Sequence, residues 1–119
     1  RFLQTNQAGR PLVPAGAPRD QFLHVRAERL DEAAGVLADK LAGRATVHRV
    51  DELIAQGFFG SGTPGETFRG RVGNLLVLPE RHETVWWYEK GRFEQLFHGH
   101  HGGLSREELE IPLVALAYP

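Results

Sequence analysis

The stretch Gln21-Phe22-Leu23-His24-Val25, followed by Glu28-Arg29-Leu30-Asp31-Glu32-Ala33-Ala34-Gly35-Val36-Leu37-Ala38-Asp39-Lys40-Leu41, decides the fold class. The first run reads as a strand. In the second, Leu30, Ala33, Ala34, Leu37 and Leu41 recur at helical spacing, which gives the helix one apolar stripe to lay on a sheet. Gly43 stands where a left-handed cap stops such a helix. Ala45 to Val50 reads as a second strand, and Asp51 as the N-cap of a short helix through Leu53 and Ile54 that ends at Gly57. The order strand, helix, strand, helix predicts an α/β fold with a mixed sheet covered by two helices.

Upstream, residues 1–20 carry Gly9, Pro11, Pro14, Gly16 and Pro18 without apolar periodicity, and read as a linker with little regular structure. Downstream, Phe58 to Gly73 is glycine-rich and reads as a long loop. It lacks the Gly-Lys-Ser/Thr ending of a phosphate-cradling loop, so that role is not expected of it. Leu75 to Leu78 and Glu83 to Tyr88 read as strands, with Glu89-Lys90-Gly91-Arg92 turning the chain into Phe93 to Phe97 as an adjoining antiparallel meander. Ser105, with Glu108 three residues on, predicts a capping box on a one-turn helix that Pro112 ends. Leu113-Val114-Ala115-Leu116 is apolar on both faces, as a strand inside a covered sheet is. There is no internal repeat. The chain divides into a linker (1–20), a cap-like α/β unit (21–73) and a run of strands with a histidine loop (74–119).

Formal net charge is −1 over 119 residues and the basic side chains are scattered, so the footprint of a nucleic-acid polymer is not expected. The absence of cysteine rules out a disulfide framework and any thiolate metal site. No apolar run reaches the roughly 18 residues of a membrane span, and no basic-then-apolar leader opens the sequence. The corresponding expectations are no membrane partner and a cytoplasmic location. A chain without methionine that opens on Arg1 reads as a piece of a larger polypeptide.

Chemistry concentrates in Phe97-His98-Gly99-His100-His101-Gly102-Gly103-Leu104-Ser105-Arg106-Glu107-Glu108. Imidazole is the commonest metal-ligating side chain, and flanking glycines let a backbone turn sharply enough to aim one ring. Three histidines within four residues do not close a tetrahedral site, so further donors must come from elsewhere.

This segment, with its continuation Leu109-Glu110-Ile111-Pro112-Leu113, resembles the C-terminal signature of the alkaline phosphatase superfamily, in its type I phosphodiesterase/nucleotide pyrophosphatase branch. The likeness extends upstream through Gly73-Asn74-Leu75-Leu76-Val77-Leu78-Pro79, Thr84-Val85-Trp86-Trp87-Tyr88 and Phe97-His98-Gly99-His100, and more loosely from Asp31 to Gly60. It covers most of the chain from about Gln21 onward. In that family a small cap is inserted before the final ligand histidine, after which the chain returns to the catalytic core. The resemblance implies that His101, directly before the Gly-Gly pair, is a metal ligand, while His98 and His100 carry no such assignment. It implies two divalent metals, usually zinc, held by aspartates and histidines around a Thr or Ser nucleophile that attacks phosphorus. Neither the nucleophile nor the remaining ligands map here, because Asp20, Asp31, Asp39 and Asp51 fall in none of the family's metal motifs.

The expected function is therefore the C-terminal part of a metal-dependent phosphodiesterase or nucleotide pyrophosphatase acting on a phosphoester or nucleotide substrate. Its partner is the N-terminal catalytic region of the same polypeptide, and the isolated chain is expected to be inactive and to self-associate through exposed apolar surface. The alternative is a free-standing module in which the histidine loop binds metal or the aromatic meander docks a partner. His24, His48 and His82 read as structural or exposed. Trp86 and Trp87 read as core, and Asn74 departs from the acidic residue frequent in the family.

Overall fold

The computed structural model describes residues 1–89 and 91–118. It has a four-stranded sheet with helices on both faces, an arrangement of the α/β class. The strands are β1 (Ala15–Ala17), β2 (Asp20–Leu23), β3 (Ala45–Arg49) and β4 (Leu75–Pro79), in the order β1-β2-β4-β3. Every pairing is antiparallel, where the sequence predicts a mixed sheet. The reason is topological. The helix α1 (Leu30–Lys40) carries the chain from β2 across to β3, leaving a gap that β4 fills in the opposite direction, so β2 and β3 run parallel without touching.

Alternation along the strands sorts the core into two layers. Leu23, Leu75, Val77 and Val47 face α1, where Val25, Ala33 and Leu75 are buried together. Phe22, Leu76 and Leu78 face the other way, onto Val50 and Leu53 of α2 (Val50–Ala55) and Val72 of α3 (Glu66–Val72). β4 is buried along nearly its whole length, as a central strand covered on both faces must be.

The expected helix from Glu28 appears as a 3₁₀ turn at Ala27–Arg29 running into α1, and Gly43 has the left-handed φ of 74° that the stop requires. α2 begins one residue before the expected cap. Val50 is its first residue, and Asp51 lies inside the first turn, its carboxylate accepting the Glu52 N–H at 3.0 Å.

Four regions differ from expectation. Residues 1–20 are not a structureless linker: they supply β1, and Leu3 bridges Val25 while the Gln4 N–H donates to the His24 carbonyl. Their prolines place them at a sheet edge, where missing N–H groups are tolerated. The loop expected over Phe58 to Gly73 contains α3, because Phe68 and Val72, one turn apart, find apolar partners in Phe59 and the α2 side of the sheet. Conversely, the expected meander forms no paired strands. Glu89 bridges Arg92 across the turn, of which Lys90 lies outside the described residues, but Thr84–Tyr88 and Phe93–Phe97 run without ladder partners. The run from Ile111 to Tyr118 is likewise unpaired and well exposed, with Leu113 at 92% and Leu116 at 85%. The sheet also crosses residue 73, since β4 pairs with both β2 and β3.

Asn74 settles how β4 begins. Its side chain copies a strand partner: Oδ1 accepts the Val25 N–H at 2.8 Å and Nδ2 donates to the Val25 carbonyl at 2.7 Å. A carboxylate there could do only the first.

Candidate functional site

The histidine loop is held from below by one carboxylate. Ser105 and Glu108 form the expected capping box at the start of α4 (Arg106–Leu109). Glu108 does more than cap: its oxygens also accept the Ser105 hydroxyl at 2.8 Å and the Gly103 N–H at 3.1 Å. On its far side Arg19, in the tight turn between β1 and β2, closes a two-pronged ion pair, with Nε at 3.0 Å and Nη2 at 2.8 Å. This arginine, the hydrogen bonds from Ser105 and that from Gly103 outweigh the cost of burial and hold the Glu108 carboxyl down at about 2.

Arg19 is 7% exposed and uses its remaining prong on the chain that leaves β4, donating from Nη1 to the Glu80 and Glu83 carbonyls, each at 2.6 Å. One guanidinium thus joins the β1–β2 turn, the exit of β4 and the histidine loop. The first two flank the paired strands β2 and β4, while the histidine loop shares no strand or helix with either.

The two glycines after His101 suit this packing. Gly102 has φ of 105°, and a Cβ built there would lie 2.9 Å from Asp20 Oδ1 and 3.3 Å from the Ala17 side chain. At Gly103 a Cβ would lie 2.3 Å from Glu108 Oε2. Real Cβ atoms do not come within 3.0 Å of a neighbour, so a side chain at either position would push the Asp20 or Glu108 carboxylate out of its place.

His101 stands at the outer end of this corner. It is exposed, beside a cleft with His100, Ala17, Pro18 and Trp86 in its walls. Asp20 lies behind it. Its Oδ1 accepts the Ala17 N–H at 2.6 Å, burial pushes its carboxyl up, and the charge of nearby His101 works in the opposite direction. Asp20 is close enough for its charge to be felt by His101, but among the described residues the two share no hydrogen bond, so the ring orientation is not fixed by this carboxylate. Among the described residues no group of three or more His, Asp or Glu side chains is placed to hold a metal ion.

His98 and His100 open onto a second, polar cleft together with His82, Arg81 and Glu107. His82, expected to be structural or exposed, adopts φ of 67° there. His48 stays apart, its Nε2 2.8 Å from the Thr46 hydroxyl on β3. Arg19 and Asp20 carry no sequence signal as site residues. Arg19 precedes its partner by 89 positions, and only the antiparallel pairing of β1 with β2 brings their turn to the loop. Among the described residues no helix is long and apolar enough to cross a membrane. Compared with protein-family models, curated proteins and solved structures, the chain matches none.

Proposed function

We propose that this chain is the C-terminal part of a metal-dependent phosphodiesterase or nucleotide pyrophosphatase of the alkaline phosphatase type. It supplies the cap and one metal ligand, His101, to a catalytic region elsewhere in the polypeptide. The observation that carries this reading is the corner at Gly102 and Gly103, locked by Glu108 and Arg19, with His101 outside it and Asp20 behind. Such fixing is what a metal ligand needs and what a solvated loop histidine does not.

A pair of zinc ions held by the completed site would act as Lewis acids, stabilising the charge that develops on a phosphoester. The chain's own part is narrower: His101 offers one imidazole nitrogen, and Arg19 with Glu108 fixes the backbone from which it projects. The exposed apolar run Ile111, Leu113, Val114 and Leu116 supports the same reading, because a segment apolar on both faces suits insertion between covered layers of a larger sheet.

Calorimetric titration of the purified chain with zinc at neutral pH, beside His101→Ala, tests the proposal. Weak binding barely changed by the substitution fits a single ligand awaiting its partners. Tight, stoichiometric binding lost with His101 means that the chain assembles a complete site, and the free-standing metal-binding module takes its place.

A further inference from the structure

The layer between α1 and the sheet is not filled to its end. Beyond the packed cluster of Val25, Ala33 and Leu75, a cavity of about 300 Å³ opens beside Leu37 and Leu41 of α1, reaching Val77 of β4 and bordered by Trp86 and Trp87, with its outer side partly open to solvent. Protein interiors seldom leave a space much larger than a water molecule. This one equals the smaller small-molecule sites, at roughly 300 Å³ and upward.

Its lining is apolar but for the exposed Arg1 and one buried side chain. Gln21 of β2 is 2% exposed and lies on the α1 side of the sheet, opposite Val77. Its Nε2 donates to the Ala17 carbonyl at 2.8 Å, and among the described residues its Oε1 accepts no hydrogen bond. No polar side-chain atom that is sealed from solvent lacks a partner among those residues, so this oxygen is not sealed, and the open space beside it is the cavity. Trp86 and Trp87, the chain's only tryptophans, have their N–H groups engaged, on the Phe93 carbonyl at 2.5 Å and on Glu89 Oε1 at 3.2 Å. They offer the cavity ring surface alone.

We propose that this cavity is a binding site for a flat, apolar heteroaromatic molecule with one N–H donor, its ring among Leu37, Val77 and the tryptophans and its N–H on Gln21 Oε1. The polar inventory selects this class. A peptide segment would bring several carbonyls as well as N–H groups, whereas the Gln21 amide and both indole N–H groups are already committed and, among the described residues of the lining, only the exposed Arg1 has donors to spare. A purely aliphatic chain would shut water away from Gln21 Oε1 and give it no donor in return, which is costly in apolar surroundings. The histidines of the metal loop are not among the lining residues, so the site stands independently of the phosphodiesterase reading.

The test is a methyl and indole NMR titration of the isotope-labelled chain with indole and, separately, with benzothiophene, which has the same shape and no N–H. Indole is expected to shift the methyl signals of Leu37, Leu41 and Val77 and the side-chain signals of both tryptophans, with half-saturation near ~1 mM. Benzothiophene is expected to bind about three- to tenfold more weakly, the worth of one hydrogen bond. Leu41→Trp, which fills the cavity from its rim, should abolish both titrations, and Gln21→Leu should erase the preference for indole. Absence of shifts in the wild-type chain, equal affinities for the two ligands, or shifts confined to other residues overturns the proposal. So does concentration-dependent broadening of the same signals without ligand, which would assign the cavity to a second copy of the chain. The wild-type comparison of the two ligands decides the matter even if a variant fails to fold.

Discussion

Arg19 and Glu108, 89 positions apart in sequence, meet in a two-pronged ion pair that is mostly shielded from water, with side chains 8% and 21% exposed. Removing one partner of such a pair strands the other. Arg19→Leu also frees the Glu80 and Glu83 carbonyls, so it should destabilise the chain by about 2–4 kcal/mol in urea unfolding. The exposed pair Arg106–Glu110 is the control: its loss should cost less than about 0.5 kcal/mol.

The same pair sets a pH dependence. The Glu108 carboxyl is lowered from 4.5 to about 2 in the folded chain, so its contribution is complete above pH 4.5 and is lost as pH falls toward 2. Asp20, raised by burial, acts with the opposite sign: its contribution is present at low pH and fades as pH rises past its ordinary value of 3.8. The stability difference between wild type and Glu108→Gln isolates the Glu108 part. It should be on the order of 1–3 kcal/mol at pH 6 and shrink steadily between pH 4.5 and 2 in thermal melts.

Asn74→Asp probes the strand mimicry at the head of β4. The substitution keeps an acceptor for the Val25 N–H but sets a carboxylate against the Val25 carbonyl in place of a donor. A loss of about 1–3 kcal/mol is expected, larger above pH 5 than at pH 3, as chemical denaturation at the two pH values would show.

Gly102→Ala and Gly103→Ala should each weaken the loop, the first through its left-handed φ and the contact with Asp20, the second through overlap with Glu108. A cost of about 1–3 kcal/mol is expected at each. Gly99→Ala has open space around it and should stay within about 0.5 kcal/mol of wild type in the same melts.

Much of this molecule is legible in its sequence. The stripe Leu30, Ala33, Leu37 and the apolar runs at residues 21, 45 and 75 state their periods openly, and α1, β2, β3 and β4 follow. α3 is hidden because Gly65, Gly70 and Gly73 mask a helix whose stability comes from Phe68 and Val72 meeting partners distant in sequence. Trp86 to Tyr88 and Leu113 to Leu116 have strand composition without strand structure, since a ladder needs a neighbour and none of the described strands reaches them. At the site, the Ser105–Glu108 box is local and could be read directly. The attachment of that box to Arg19, and of Asp20 to the corner beside His101, depends on long-range closure that no spacing encodes.

The central claim is that His101 is a metal ligand of a phosphoester hydrolase completed by other parts of its polypeptide. Its most direct test is zinc-dependent hydrolysis of bis(p-nitrophenyl) phosphate by the full-length gene product and by its His101→Ala variant. The account predicts turnover by the parent and a loss of at least about 100-fold in the variant, with one zinc fewer bound. Equal rates, or turnover by the 119-residue chain alone that depends on His101, would contradict it.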